Sequence, residues 1–499
     1  MNKYGVILVT AVAFLFCTSF SLGEDPTSAE FVRRAAARHA QTVSDTNRFV
    51  WNCAETAWNE VESSARLADT LEKSGFTVTR GIGDIKTAFR AQYGQGKPVL
   101  AILAEYDCLP NLGQEAGVAT RQPIPGKPNG HGCGHSALGA GSLGAALIVK
   151  DYLEKSGKQG TIVLFGCPAE EGGQAKTFMV RSGCFQGIDA AVLWHPADRN
   201  IVAPDPWIAR YSVIFSFKGI ASHAGGAPEK GRSALDGCEL MNIGVNYLRE
   251  HIIQQARIHF AYLEPGAKVP NIVPEHARTI YYIRAPRLSQ AKEILDRVID
   301  VARGAALMSG TQMEYKIAGA TSDWAPNPTM TQVLADAFTE LGGPKFDENE
   351  QKLGRLFFAQ LSAEEKASAL ALVSGNDREK MKSLEASPVA TNVVTRTTPV
   401  QQTVSTDAGD VSQIVPSGQF FAATASTGTT LHSWQMTSQV GTTIGDKGAL
   451  AAASVMALGC IRLFNEPTLV EKAKAEHKAM FGESYTSPLP DELRPGGYK

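Results

Sequence analysis

Thr161-Ile-Val-Leu-Phe-Gly-Cys167-Pro168-Ala169-Glu170-Glu171 decides how this chain is read. An apolar run of strand length stops at a proline and then meets two carboxylates. The pattern recurs twice. Ala190-Ala-Val-Leu-Trp194 runs into His195, and the apolar residues 99–103 run into Glu105-Tyr106-Asp107. In an open α/β sheet, ligand sites form just beyond the carboxyl ends of the strands. Three polar clusters at three such ends therefore point into one crevice. His131-Gly-Cys133-Gly-His135 and the later His432 add further imidazoles and a thiol.

The rest of the chain alternates in the same way. Residues 29–74 read as helical, with Gly75 as the C-cap. Residues 76–79, 87–93 and 99–103 read as strands, 136–155 as a helix rich in small residues, and the run at Thr161 as the next strand. Strands alternating with helices predict a parallel or mixed sheet. Near Pro204-Asp-Pro206 the texture changes. Strands at 211–217, 257–262, 279–284 and 312–317 and helices at 234–255 and 289–308 follow in the order βαββαβ. That order predicts a ferredoxin-like two-layer module. The expected organisation is one discontinuous catalytic domain, 24–206 and 319–499, with a smaller domain inserted at 207–318. Residues 345–400 are charged, helical and turn-rich, and read as a local elaboration of the catalytic domain.

The bulk numbers bound the function. A chain of 499 residues has room for one to three domains. Hydrophobic residues make up 43% and charged residues 20%, as in a soluble globular protein. The net charge of -2 argues against nucleic acid as a partner. Lys3 is the only charge before Glu24, an apolar segment fills 6–20, and Ser21-Leu-Gly23 supplies small residues for a cut. Residues 1–23 thus read as a secretory signal, which predicts an exported, periplasmic or secreted protein that meets the membrane only during export. The alternative, an N-terminal anchor, needs a longer apolar run. Seven cysteines follow the cut, an odd and scattered set that does not read as a disulfide framework.

Hydrolysis of an amide needs an activated water, a polarised carbonyl and a proton for the leaving amine, and metal ions supply the first two. Cys133 and His135, two apart in a glycine-rich loop, can turn towards one ion, although Cys-Gly-His alone is a weak signal. Of the pair Glu170-Glu171, one carboxylate can bind metal while the other stays free as base and acid. The competing reading is a solvated acidic pair, weakened by the apolar strand before it. For His195 the competing reading is a core histidine. Asp107 suits a carboxylate that orients a ligand imidazole.

Ala104-Glu-Tyr-Asp-Cys-Leu-Pro110, Gly130-His-Gly-Cys-Gly-His-Ser-Ala-Leu-Gly139, Pro168-Ala-Glu-Glu-Gly-Gly173, Ser222-His-Ala-Gly225 and the His432 segment, in that order, resemble the aminoacylase/carboxypeptidase metallopeptidase superfamily. Within it they resemble the amidohydrolase branch that holds hippurate and indole-acetyl-amino-acid hydrolases. The resemblance implies a mixed-sheet, zinc-peptidase-like α/β catalytic domain with an inserted ferredoxin-like α+β domain that dimerises and acts as a lid. It implies two divalent ions, manganese or zinc, held by Cys133, His135, Glu171, His195 and His432, with Glu170 as general base. It also implies a homodimer in which His223 approaches the partner's site, with Asn271 at a lid position that contacts substrate. The expected substrate is a small N-acyl or N-aroyl amino acid with a free carboxylate. Where other superfamily members carry a metal-binding histidine two residues before the aspartate, this chain has Glu105, as in the cysteine-type branch. Rival readings are a dipeptidase or carboxypeptidase on the same metals, and a silent binding homologue. The latter would be expected to lose Glu170 or a ligand first.

Overall fold

The three apolar runs lie side by side. The computed structural model describes residues 27–374, 377–482 and 484–497, so the expected signal at 1–23 falls outside the described residues. The described strands are β1 (Thr77–Arg80), β2 (Phe89–Gln95), β3 (Val99–Ala104), β4 (Gly160–Gly166), β5 (Ala190–Ala197), β6 (Asn200–Val202), β7 (Ala209–Lys218), β8 (Arg257–Glu264), β9 (His276–Ala285), β10 (Gln312–Thr321), β11 (Val393–Thr395) and β12 (Ser417–Ala423). Eight form a mixed sheet in the order β1-β2-β4-β3-β5-β12-β6-β11. β3 runs parallel to β4 and β5, and β5 parallel to β12. Register aligns Ala104 with Gly166 and Ile102 with Val192, so these strands end at one edge of the sheet.

Successive side chains leave a strand on opposite faces. Leu100, Ile102, Ile162, Leu164 and Val192 accordingly pack on one side with helices Ser28–Cys53, His135–Ser156 and Thr443–Asn465. Ala101, Leu103, Val163, Phe165 and Leu193 pack on the other, with helix Ala175–Arg181 and the core of the second sheet. Both faces are thus covered, which is why β4 is apolar and buried throughout. Helix Thr443–Asn465 is long and apolar enough to cross a membrane, but most of it is buried in this core. Close approach here depends on small residues: a Cβ on Gly144 would stand 2.6 Å from Val43.

The second sheet is antiparallel, in the order β10-β7-β9-β8. Helices Ala234–Leu248 and Leu288–Ser309 supply apolar side chains to the core it shares with them. β9 alternates exposed and buried residues, as expected for a sheet with one covered face.

Two expectations need correction. Residues 29–74 are two helices, Ser28–Cys53 and Val61–Lys73. Ala54 turns left-handed (φ 45°), and the following turn makes tertiary hydrogen bonds that helical periodicity cannot reveal. The helix expected over 234–255 ends at Leu248, and a short 3-10 turn, Arg249–His251, follows it. Within 345–400, helices Glu348–Phe358, Ala363–Ser374 and Arg378–Ala386 enclose a small core of Phe358, Leu370, Val373 and Leu384. Phe357 packs on Trp434, two residues from His432 (ring centroids 6.2 Å apart).

Candidate metal centre

The site forms where β3, β4 and β5 end. β3 leads into Glu105 and Asp107, β4 leads into Glu170 and Glu171, and His195 lies within β5, two residues before its end. His135 opens helix His135–Ser156, preceded by Gly134 at φ 80°. A Cβ there would meet Pro196 at 2.6 Å, so only glycine lets this loop close on the end of β5. His432 sits in the loop after β12 at φ 58°, its N–H donating to the Gly132 carbonyl at 2.7 Å.

Donor atoms gather in overlapping groups. Those of Cys133, His135 and His195 all lie within 4.8 Å of one another, and so do those of Cys133, Glu171 and His432. Cys133 belongs to both groups, so the cluster has the shape of two adjoining sites with a shared thiol. A third group joins Glu105, His135 and Glu170. Cys133 Sγ stands 3.5 Å from His195 Nε2 and His432 Nε2 3.3 Å from Glu171 Oε1. His432 is the most open of the five, its side chain 57% exposed.

Outer contacts aim the imidazoles. His135 Nδ1 lies 2.9 Å from Asp107 Oδ1, and His195 Nδ1 2.8 Å from the Pro196 carbonyl. An Nδ1–H donated in this way leaves the Nε2 lone pair for an ion. The other Asp107 oxygen accepts the Glu171 N–H at 2.8 Å, so one carboxylate holds two candidate ligands. His135 Nε2 and Glu171 Oε1 are buried and make no well-formed hydrogen bond; each has only an ion-pair contact at 3.3 Å, to Glu105 Oε2 and His432 Nε2 respectively. Stranded acceptors are costly unless something occupies them. Together with one thiol, three imidazoles and a carboxylate, they fit borderline divalent ions.

The electrostatics separate the two adjacent carboxylates. Burial, then the charges of Glu105, Asp407 and Glu171, push Glu170 well above the usual carboxylate range. Burial acts on Glu171 too, but the His432 and His135 imidazoles hold it at about 2. Burial and His135 lower His195 to about 4, keeping it neutral. This is the divergence that lets one carboxylate carry a proton while its neighbour stays anionic.

His223 and Asn271 lie elsewhere. Both are exposed on loops of the second sheet. Ala224 N–H donates to the Asn271 carbonyl at 2.9 Å, and His223 Nδ1 accepts from Gly225 and Gly226. The described hydrogen bonds of His223 all stay within this loop region.

Sequence reasoning missed a buried network beneath the site. Lys176 is fully buried. Its Nζ lies 2.7 Å from Glu105 Oε1 and 2.5 Å from Asp407 Oδ1. The clue was a lysine just before the apolar run Phe178-Met179-Val180; nothing local linked it to Asp407. Glu60, buried beside the loop that carries Glu170, was also missed.

Residues 101–491 match the model of peptidase family M20/M25/M40. A p-aminobenzoyl-glutamate hydrolase chain of Escherichia coli is 39% identical over 475 residues, 94% of this chain and 99% of the relative. The Xaa-Arg dipeptidase of Mus musculus is 26% identical over 90% of this chain and 93% of its own. The fold matches the aminobenzoyl-glutamate utilization protein of Klebsiella pneumoniae with a TM-score of 0.57 at 18% identity, over 86% of this chain and 98% of that one. A dinuclear metal binding peptidase of Bacillus subtilis matches with the same score at 16% identity, over 86% and 99%. The chain belongs to peptidase family M20/M25/M40, a family of metal-dependent hydrolases.

Proposed function

We propose that this protein is an exported amidohydrolase that cleaves the amide bond of N-acyl or N-aroyl amino acids, with substrates like p-aminobenzoyl-glutamate. The carrying observation is the donor set around Cys133 with a protonatable Glu170 beside it. Cys133, His135, Glu171, His195 and His432 would hold two divalent ions, manganese or zinc. When bound, these ions supply Lewis acidity that acidifies water and polarises the scissile carbonyl. Glu170 takes the proton from the attacking water at a carboxylate oxygen. It then delivers that proton to the amide nitrogen as the carbon–nitrogen bond breaks. Asp107 keeps His135 and Glu171 oriented throughout. Residues 207–318 serve as lid and dimerisation domain, and His223 and Asn271 reach the site of a second copy, where they contact substrate.

The test is purified protein with manganese, zinc or cobalt, assayed against acyl-amino acids, aroyl-amino acids and dipeptides. Aroyl-glutamate should be turned over best. Glu170→Gln should lower kcat by roughly a hundredfold or more with metal retained. Wild-type rates in that variant would refute the role. A dipeptidase reading draws on the Xaa-Arg dipeptidase relatives, and preferential cleavage of dipeptides would favour it. Export is tested by the N-terminus of protein from the native host, expected near Glu24; an intact Met1 would refute it.

A further inference from the structure

The short turn at 54–60 touches two of the three site-bearing strand ends, those of β3 and β4. Glu60 is completely buried. Its Oε1 accepts from Ala169 N–H at 2.8 Å and from Trp58 N–H at 2.9 Å. Its Oε2 accepts from Thr87 Oγ1 at 3.1 Å. The Thr87 carbonyl in turn accepts from the Tyr106 hydroxyl at 2.5 Å, and Tyr106 stands between Glu105 and Asp107. On the other side of the turn, the Glu55 carbonyl accepts from Cys108 N–H at 2.9 Å. Through Ala169, Cys108 and, by way of Thr87, Tyr106, the turn reaches immediate chain neighbours of Glu170 and Asp107.

Ala169 needs such a hold. It sits at φ 53°, in the left-handed region that a residue with a Cβ rarely adopts. A buried N–H that loses its acceptor pays the full desolvation cost of that group, so the Glu60 oxygen holds this turn in place. Trp58 completes the clamp: a Cβ on Gly173 would lie 2.8 Å from its indole, and its ring packs edge-on against Phe178. From this geometry we infer that Glu60 is a positioning residue. It fixes the backbone at Ala169 and so sets where Glu170 stands relative to Asp107 and the ligand cluster. The inference rests on the role proposed for Glu170.

The test compares Glu60→Ala, Glu60→Asp and Glu60→Gln in the full-length, metal-loaded protein. Hydrogen–deuterium exchange of the 167–173 segment is read first, because it does not depend on the reaction. Alanine, which removes the acceptor, and aspartate, one methylene shorter, should each speed exchange at Ala169 by roughly tenfold or more. Glutamine keeps Oε1 in place and should restore protection. With aroyl-glutamate, kcat should fall roughly ten- to a hundredfold in the alanine and aspartate variants, with KM within about twofold and metal content unchanged. The glutamine variant should recover to within about threefold of wild type. Leu67→Ala, a core truncation in helix Val61–Lys73, serves as the stability control and should lower Tm without lowering kcat at 25 °C. Unchanged exchange at Ala169 in both the alanine and aspartate variants overturns the inference. So does wild-type kcat in them, or an equal loss in the Leu67 control. An inactive wild type with altered exchange in the variants would instead refute the proposed function and leave the clamp standing.

Discussion

Replacing Lys176 with Met tests the buried network most directly. Methionine has similar length and bulk but no charge. The Lys176 ammonium is fully buried between Glu105 and Asp407, whose side chains are 5% and 0% exposed. Removing it strands Asp407, which has no other cation in hydrogen-bond reach among the described contacts, and leaves Glu105 only its 3.3 Å contact with His135 Nε2. Breaking a buried pair by deleting one partner costs about 3–5 kcal/mol, because the surviving charge keeps its desolvation penalty. Lys176→Met should lose that much in urea unfolding, read from the fluorescence of buried Trp194 and Trp324. Adding Asp407→Asn removes one stranded charge and should recover roughly half of the loss. The amide keeps an oxygen for the Lys176 backbone N–H, now 2.9 Å from Asp407 Oδ2. A loss below about 1 kcal/mol in the single variant, or a deeper loss in the double variant, would refute the stranded-charge account.

Metal analysis should separate the two donor groups. His195→Ala and His432→Ala should each cost about one ion per chain, and Cys133→Ser should cost both, as read by elemental analysis of protein purified without chelator. Equal, full retention in all three would sink the shared-thiol arrangement. Stability should also depend on Asp189 at low pH. Burial acts to raise its carboxyl, but Val99 N–H, Lys97 and Lys474 hold it below the ordinary value. A depressed carboxylate stabilises the fold above the unfolded value of about 4, and that contribution is lost as pH falls through the folded value. Asp189→Asn should therefore flatten the acid limb of the stability curve below pH of about 4; an unchanged limb counts against it. Mixing Glu170→Gln with His223→Ala subunits should restore part of the activity if His223 acts across a dimer. Efficient subunit exchange without recovery would exclude the cross-subunit role.

Much of the site was legible because its chemistry lies at the ends of strands that declare themselves. The runs before Glu105, Glu170 and His195 are apolar and short, and the structure makes each one a strand, the first two within a residue and the third running three residues on so that it takes in His195. The βαββαβ order of the second sheet and its helices was equally readable, since alternation along β7 and β9 and the helical period of 288–309 are local properties. The break at 54–60 was not readable. Both flanking segments carry helical periodicity, and the turn between them is held by Cys108 and Ala169, far along the chain.

What the sequence determined by itself was therefore the set of elements, their order and the ligand-type residues at their ends. These follow from hydrophobic period and residue chemistry, which act over a few neighbours. The tertiary structure alone decided which of those residues meet. Cys133 and His195 are 62 residues apart, Glu60 and Ala169 109 apart, and Lys176 and Asp407 231 apart. Their proximity depends on the register of β3, β4, β5 and β12 and on the packing that joins β7–β10 to that sheet. The same packing buries Lys176 and Glu60, so their need for partners arises only once the sheet has closed over them.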